Sequence, residues 1–152
     1  MNKKSVILGI VIVLVTCLTT GCLFYNYLEP ADFKDQFSAR GYKVEKTSQE
    51  NSKAEYISKA TKNDVPYEVY YYQYKNEKDA KAAYKEFKNN LSSIITSDSK
   101  DTESKSSVLS KYICKSDNEY IVISRVKDTL IYVSTTVDYE KSVNEILEDL
   151  KY

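Results

Sequence analysis

Apolar side chains return at helical spacing in three segments of the chain. The clearest segment is EKDAKAAYKEFKNNLSSII, residues 77–95, where they recur every three or four positions and form one apolar face. A shorter helix is predicted around Phe33 and Phe37, with Gly41 as its stop signal. Residues 138–152 show the same spacing at the end of the chain. The pattern therefore predicts three amphipathic helices.

Between the helices, β-branched and aromatic residues gather in short runs that are bounded by turn residues. The runs are residues 55–62 and 65–75 before the long helix, and 107–115, 119–127 and 130–136 after it. Short spacing with turn residues predicts antiparallel hairpins. Tyr42–Glu45 is compatible with one more short strand. The segment 96–107 has no apolar residue and is predicted to be a solvated loop.

Together these elements predict an α+β fold with an antiparallel sheet of about five strands. Its expected order is α-β-β-α-β-β-β-α, with amphipathic helices packed mainly on one face of the sheet. One strand stands out, because residues 120–126, YIVISRV, are mostly apolar and include apolar residues at consecutive positions. That strand is predicted to be central and covered on both sides.

The start of the chain has a different character. Lys3 and Lys4 are followed by an uncharged, mostly apolar run at residues 5–20, which is the layout of a secretory signal. The run ends in LTTGC at residues 18–22. This sequence resembles the bacterial lipoprotein signal, or lipobox, in which an aliphatic residue and small residues precede a cysteine. Leu18 lies one position further from the cysteine than is usual in that family.

The resemblance implies that Cys22 receives a diacylglycerol thioether and becomes the new N-terminus. Residues 1–21 would then be a signal peptide and 22–29 a lipidated tether. Residues 30–152 would form a single domain, anchored to the bacterial cell membrane and facing outside the cytoplasm. The mature domain also looks like small uncharacterised bacterial lipoproteins. The alternative is an uncleaved anchor, since the apolar run extended through Leu28 is long enough to span a bilayer.

Composition narrows the chemistry. The chain has 22 basic and 22 acidic side chains, so nucleic acid, which usually meets a clustered basic face, is not an expected partner. It has no histidine, the commonest general base and metal ligand. No motif of a phosphate loop, zinc site or nucleophile elbow is present in the sequence. We therefore expect no enzymatic activity, no cofactor, no metal and a monomeric domain. Cys114 is expected to be a buried, inert thiol.

Four residues are candidates for ligand binding. In YEVYYYQY, Tyr70, Tyr72 and Tyr74 share one face of a strand and could form an uncovered recognition surface. The competing interpretation is ordinary sheet packing with aromatic pairs. Arg125 lies inside an apolar strand and could hold an anionic ligand. Its competing interpretation is an arginine whose stem covers apolar surface near a turn.

The sequence thus favours a membrane-anchored extracytoplasmic lipoprotein with a non-catalytic binding or interaction domain. Its partner would be an unknown protein or envelope ligand, and the membrane would be reached through the lipid on Cys22. One alternative is an extracytoplasmic hydrolase that works with paired carboxylates. Another is an uncleaved single-span protein with a structural role in the envelope.

Overall fold

The computed structural model describes residues 28–50, 52–92 and 99–152. The predicted signal peptide and the predicted lipid attachment at Cys22 therefore lie outside the described residues. Within the described ranges, no helix is both long and apolar enough to cross a bilayer.

The described chain forms three helices and seven strands. The helices are α1 (Pro30–Ala39), α2 (Glu77–Ser92) and α3 (Glu140–Leu150), the last preceded by a 3-10 turn at Val137–Tyr139. The strands are β1 (Lys43–Thr47), β2 (Tyr56–Thr61), β3 (Glu68–Gln73), β4 (Lys100–Lys105), β5 (Leu109–Lys115), β6 (Glu119–Val126) and β7 (Thr129–Thr136).

One antiparallel sheet contains all of these strands in the order β1-β2-β3-β7-β6-β5-β4. It consists of two meanders, β1 to β3 and β4 to β7. They join where β3 pairs with β7, in a register that sets Tyr71 opposite Ile131. The connection that carries α2 links the two meanders. The predicted α+β class and the antiparallel sheet are confirmed.

The helices cover both faces of the sheet, so the expectation of helices mainly on one face is wrong. Residues of α1 and α3 share one core cluster with Val122 and Ile131. Residues of α2 share a second cluster with Ile123 and Leu130. Because successive strand residues point to opposite faces, these pairs of neighbours belong to the two sides of the sheet. Both faces are apolar in β6 and β7, and both must be covered. The predicted central strand β6 is buried along nearly its whole length.

The count of about five strands is too low because both edge strands are polar. Every residue of β4 is exposed, and its sequence KDTESK lies within the predicted loop. The other edge, β1, is also mostly exposed, and the sequence indicates only a short strand there, at Tyr42–Glu45. Edge strands often carry charged residues because their free side faces water and must not pair with other chains. Hydrophobic pattern is therefore a poor guide to such strands.

Helices α1 and α3 end in the same backbone motif. A left-handed residue follows each helix: Gly41, with φ of 82°, is the second residue after α1, and Lys151, with φ of 61°, comes directly after α3. The amide of the next residue donates to a carbonyl in the last turns of the helix, over 3.0 Å for Tyr42 and 2.8 Å for Tyr152. This is the Schellman arrangement, in which the residue after the left-handed one also packs back on the helix. Both tyrosines are buried in the same core cluster.

Candidate functional site

The tyrosine face predicted as a recognition surface lies under α2. Tyr72 is 1% exposed and Tyr74 is 3% exposed. The ring of Phe87, on α2, lies 5.3 Å from the ring of Tyr72 in an edge-on contact. Tyr70 is half-buried, and its hydroxyl donates to Glu68 over 2.6 Å. The hypothesis of an uncovered tyrosine face is therefore wrong, because the crossover helix covers that side of the sheet.

Two further residues belong to the core cluster on this side of the sheet. Phe87 packs against the sheet, with its ring 5.5 Å from that of Tyr132, and is half-buried. Cys114 is buried and forms no disulfide within the described residues. Burial raises the pKa of its thiol, and this suits an inert side chain.

Arg125 is the predicted site residue whose surroundings are unusual. It lies on β6, on the face that α2 covers, and its side chain is completely buried. Its Nη1 donates to the carbonyl of Lys127 over 2.7 Å, and its Nη2 donates to the hydroxyl of Ser110 over 3.2 Å. Its Nε has no hydrogen-bond partner. None of the described carboxylates forms an ion pair with it.

Such a guanidinium is costly to bury. Burial lowers the pKa of Arg125, while the charge of Glu77 acts from beyond ion-pair distance and opposes that shift. Arginine in a protein interior is usually paired with a carboxylate or held by a full set of hydrogen bonds. The competing interpretation of an arginine beside a turn accounts for the bond to Lys127, but not for the open Nε.

A row of side chains leads from the edge of the sheet to this residue. Cross-strand pairing sets Lys105 of β4 opposite Ser110 of β5, and Ser110 opposite Arg125 of β6. The next position in the row is Leu130 of β7, which belongs to the apolar core under α2. Residues directly opposite each other on neighbouring strands share a face. The row therefore runs from an exposed lysine at the sheet edge, through a buried serine and a buried arginine, to the apolar core.

Above this row lies an open cleft of about 490 Å³ between α2 and the β4–β5 hairpin. Its charged lining is mostly basic, with four lysines and one arginine against a single carboxylate. The basic residues are Lys81, Lys85, Lys88, Lys105 and Arg125, and the carboxylate is Glu103. Three serines, Ser106, Ser107 and Ser110, add hydroxyl groups. Donors of this kind suit the oxygen atoms of an anion.

Glu103 already neutralises part of the cleft. It accepts hydrogen bonds from Lys88 over 2.7 Å, from Lys105 over 2.8 Å and from Tyr84 over 3.0 Å. Burial opposes the ionisation of Glu103, but these three bonds outweigh that effect and lower its pKa to about 2. The carboxylate is thus firmly ionised near neutral pH. Two cations of the lining, Lys85 and Arg125, have no ion-pair partner among the described residues.

A second, smaller crevice of about 280 Å³ lies on the other side of α2, against the loop that follows β1. Its helix side presents Asp79, Glu86 and Asn90. No group of three or more histidine, cysteine or acidic side chains in the described ranges is arranged to hold a metal ion. The two sides of α2 therefore differ in charge, with the basic side facing Arg125.

Sequence reasoning found Arg125 but not its companions. The lysines of α2 were visible as a polar helix face, yet nothing in a single sequence says which side of the helix meets the edge of the sheet. Glu103 and Lys105 fell in the predicted loop, because β4 has no apolar residue to mark it. Alternation of charge in KDTESK was the only available signal, and it is a weak one.

Comparison with known proteins adds little. No protein-family model matches the chain, and no curated protein matches it. A solved structure of a GTP-binding regulator from Thermotoga maritima is similar at 17% sequence identity and a TM-score of 0.48. That match covers 80% of this chain and 84% of the other. The function of the cleft has to be inferred from its own side chains.

Proposed function

We propose that this chain is a lipid-anchored extracytoplasmic protein whose domain binds an anionic ligand, without catalysis, in the cleft above Arg125. The observation that carries the proposal is a fully buried guanidinium that lies at the base of an open cleft and has no carboxylate partner among the described residues. A positive charge in a poorly polarisable interior acts on an anion more strongly than one in water. A bound anion would supply the negative charge that no described carboxylate provides to Arg125.

The surroundings support binding of a phosphate or carboxylate group rather than a metal or an apolar molecule. Lys85 stands at the rim without an ion-pair partner in the described chain, and Ser110 presents a hydroxyl beside Arg125. Arginine with hydroxyl donors is a common setting for oxyanions. Such a group would accept hydrogen bonds from donors that are already in place.

The same features favour binding over catalysis. The chain has no histidine, and the carboxylate in the cleft, Glu103, is held by three donors with its pKa lowered to about 2. A general acid or base works best with a pKa near the working pH. Glu103 is therefore better suited to positioning Lys88 and Lys105 than to proton transfer.

The anchoring part of the proposal comes from the lipobox resemblance at residues 18–22. The described fold begins at Leu28, which packs in the core cluster of α1 and α3 and accepts a hydrogen bond from Tyr71 over 2.6 Å. The cleft opens on the opposite face, beside α2. A tether that enters on the first face would leave the cleft accessible. We expect Cys22→Ser to abolish fatty-acid labelling and Cys17→Ser to leave it unchanged, whereas equal labelling of wild type and Cys22→Ser would contradict the anchor.

Binding can be tested on the full-length chain in non-ionic detergent micelles by calorimetric titration with inorganic phosphate. We expect saturable binding that Arg125→Met abolishes and Arg125→Lys partly retains, since lysine keeps the charge but loses the fork of donors. Arg40→Met is the matched control, because Arg40 pairs with Asp149 at the surface. An absence of phosphate binding by the wild type, or undiminished binding by Arg125→Met, would overturn the proposal.

A further inference from the structure

The basic side of α2 extends beyond the cleft. Lys78, Lys81, Lys85 and Lys88 follow one another at intervals of three or four residues. Residues at this spacing lie along one side of a helix. With a rise of about 1.5 Å per residue, the lysine stripe, as we call these four residues, is roughly 15 Å long. It is longer than a single phosphate group needs.

The stripe is separated from the acidic residues of the same helix. Asp79 and Glu86 lie on the other flank, where they line the second crevice. A solvated surface helix more often mixes the two signs through pairs four residues apart. In α2 one such pair falls on the stripe, Lys81 with Glu77 at 3.3 Å, and both side chains are about half exposed. A pair this exposed screens little of the stripe's charge.

Within the described chain, Lys78 and Lys85 have no ion-pair partner, and Lys88 shares the carboxylate of Glu103 with Lys105. The stripe leads to the cleft, since Lys81, Lys85 and Lys88 all line it, and Arg125 lies at its base. Positive charge is therefore continuous from the buried guanidinium to the exposed start of the helix.

We propose that the site takes a linear polyanion of the polyphosphate class, with one anionic group held above Arg125 and the next groups along the lysine stripe. This inference rests on the proposed function, because it uses the same cleft. A flexible chain of anions suits a row of lysines, since each contact releases bound counterions and adds affinity at low salt.

Two observations favour a polymer of this class over other polyanions. Single-stranded nucleic acid is usually held by stacking on exposed aromatic rings, but Tyr84, the aromatic residue of the cleft, is only 3% exposed. An anionic membrane surface would have to reach the face of the sheet that is opposite the entry of the chain at Leu28. A polymer outside the membrane meets neither difficulty.

The test compares inorganic phosphate with a long polyphosphate, titrated into the full-length chain in non-ionic detergent at several salt concentrations. We expect polyphosphate to bind at least about tenfold more tightly per molecule, with a steeper fall in affinity as salt rises. Lys78→Gln with Lys85→Gln is expected to weaken polyphosphate binding by about tenfold or more, through lost counterion release, while phosphate binding changes less than about twofold. Lys34→Gln with Lys141→Gln, two exposed lysines on α1 and α3, is the matched control and should change neither.

The outcomes separate the two proposals. Arg125-dependent phosphate binding without any gain for polyphosphate, or without loss in the Lys78/Lys85 variant, would overturn the polyanion alone. Polyphosphate binding that depends on the lysines but not on Arg125 would overturn the shared site. Poly-glutamate, single-stranded DNA and vesicles rich in phosphatidylglycerol serve as competitors. If any of them displaces polyphosphate at equal charge concentration, the assignment to polyphosphate is wrong.

Discussion

At the scale of single residues, Arg125 shows how a binding group can be kept without a net contribution to stability. Its guanidinium loses its water shell and recovers two hydrogen bonds, one to Lys127 and one to Ser110. Burial of an unpaired ion costs several kcal/mol even after relaxation, whereas a hydrogen bond to a charged group returns about 1.5–3 kcal/mol. The balance is close to neutral, so the residue contributes little to folding.

We therefore expect Arg125→Met to leave the free energy of unfolding within about 1 kcal/mol of the wild-type value. Methionine fills a similar volume and removes the desolvated charge, which offsets the two lost bonds. Urea denaturation of both proteins measures the difference. A loss of more than about 3 kcal/mol, the cost of breaking a true buried pair, would mean that Arg125 is structural.

In contrast to Arg125, the aromatic residues under α2 are expected to stabilise the fold. Tyr72 is 1% exposed and lies between Tyr70, Tyr74 and the ring of Phe87, whereas Phe87 itself is half-buried. Tyr72→Ala is expected to lower the free energy of unfolding by about 3–5 kcal/mol, the range for large buried aromatics. Phe87→Ala is expected to cost less, because part of its ring already faces water. Chemical denaturation that ranks the two variants in the reverse order would contradict this assignment.

Glu103 gives the domain a testable dependence on pH. Hydrogen bonds from Lys105, Lys88 and Tyr84 outweigh its burial and hold its pKa at about 2, below its ordinary 4.5. A lowered pKa in the folded state means that the ionised group stabilises the fold above pH 4.5 and that this contribution is lost as the pH falls towards 2. The free energy of unfolding of Glu103→Gln is therefore expected to fall less than that of wild type over this interval. Parallel curves for the two proteins would show that the three bonds do not stabilise the fold.

At the scale of elements, α1 and α3 end in the same left-handed backbone motif but place different residues in it. Both need a left-handed residue before a buried tyrosine, and only α1 has glycine there, at Gly41. A side chain in this conformation costs roughly 1 kcal/mol, which glycine avoids. Lys151 carries that strain at the end of α3.

The two sites are a matched pair for mutation. Gly41→Ala is expected to lower the free energy of unfolding by about 1 kcal/mol, because its added Cβ meets the side chain of Lys62 only at an ordinary 3.5 Å and the backbone strain decides the cost. Lys151→Gly is expected to raise it by about 0.5–1 kcal/mol. Thermal unfolding measures both. Shifts of the same sign would show that the left-handed conformation is not what decides stability at these positions.

The elements that the sequence predicts well are those whose apolar side chains repeat. The helix α2 follows from its periodicity, the strand β6 from a run of apolar residues, and β2 and β3 from β-branched and tyrosine-rich runs. The edge strand β4 carries no such signal, because all of its residues are exposed and none is apolar. Periodicity shows which residues of α2 are buried, but not which face of the sheet the helix covers.

At the scale of the whole molecule, that missing information decides the candidate site. The expectation of helices mainly on one face left the tyrosine strand open and gave Arg125 no cleft. Placing α2 on the other face buries Tyr72 and Tyr74, and it also brings the lysines of α2 to the edge formed by β4 and β5. The face of the sheet that α2 covers depends on pairing between distant strands. It determines both the burial of the tyrosines and the formation of the cleft.

The pairing of β3 with β7 limits how early this domain can fold. Tyr71 of β3 pairs with Ile131 of β7, and α2 packs chiefly on β6 and β7. Neither contact can form until almost all of the chain has been synthesised. Contacts between distant residues slow folding. We expect a fragment of residues 28–92 to show no cooperative unfolding by circular dichroism, and a sharp transition in it would contradict this dependence. We therefore expect the domain to remain unfolded until its last strand has been synthesised, which is compatible with the proposed export across the membrane.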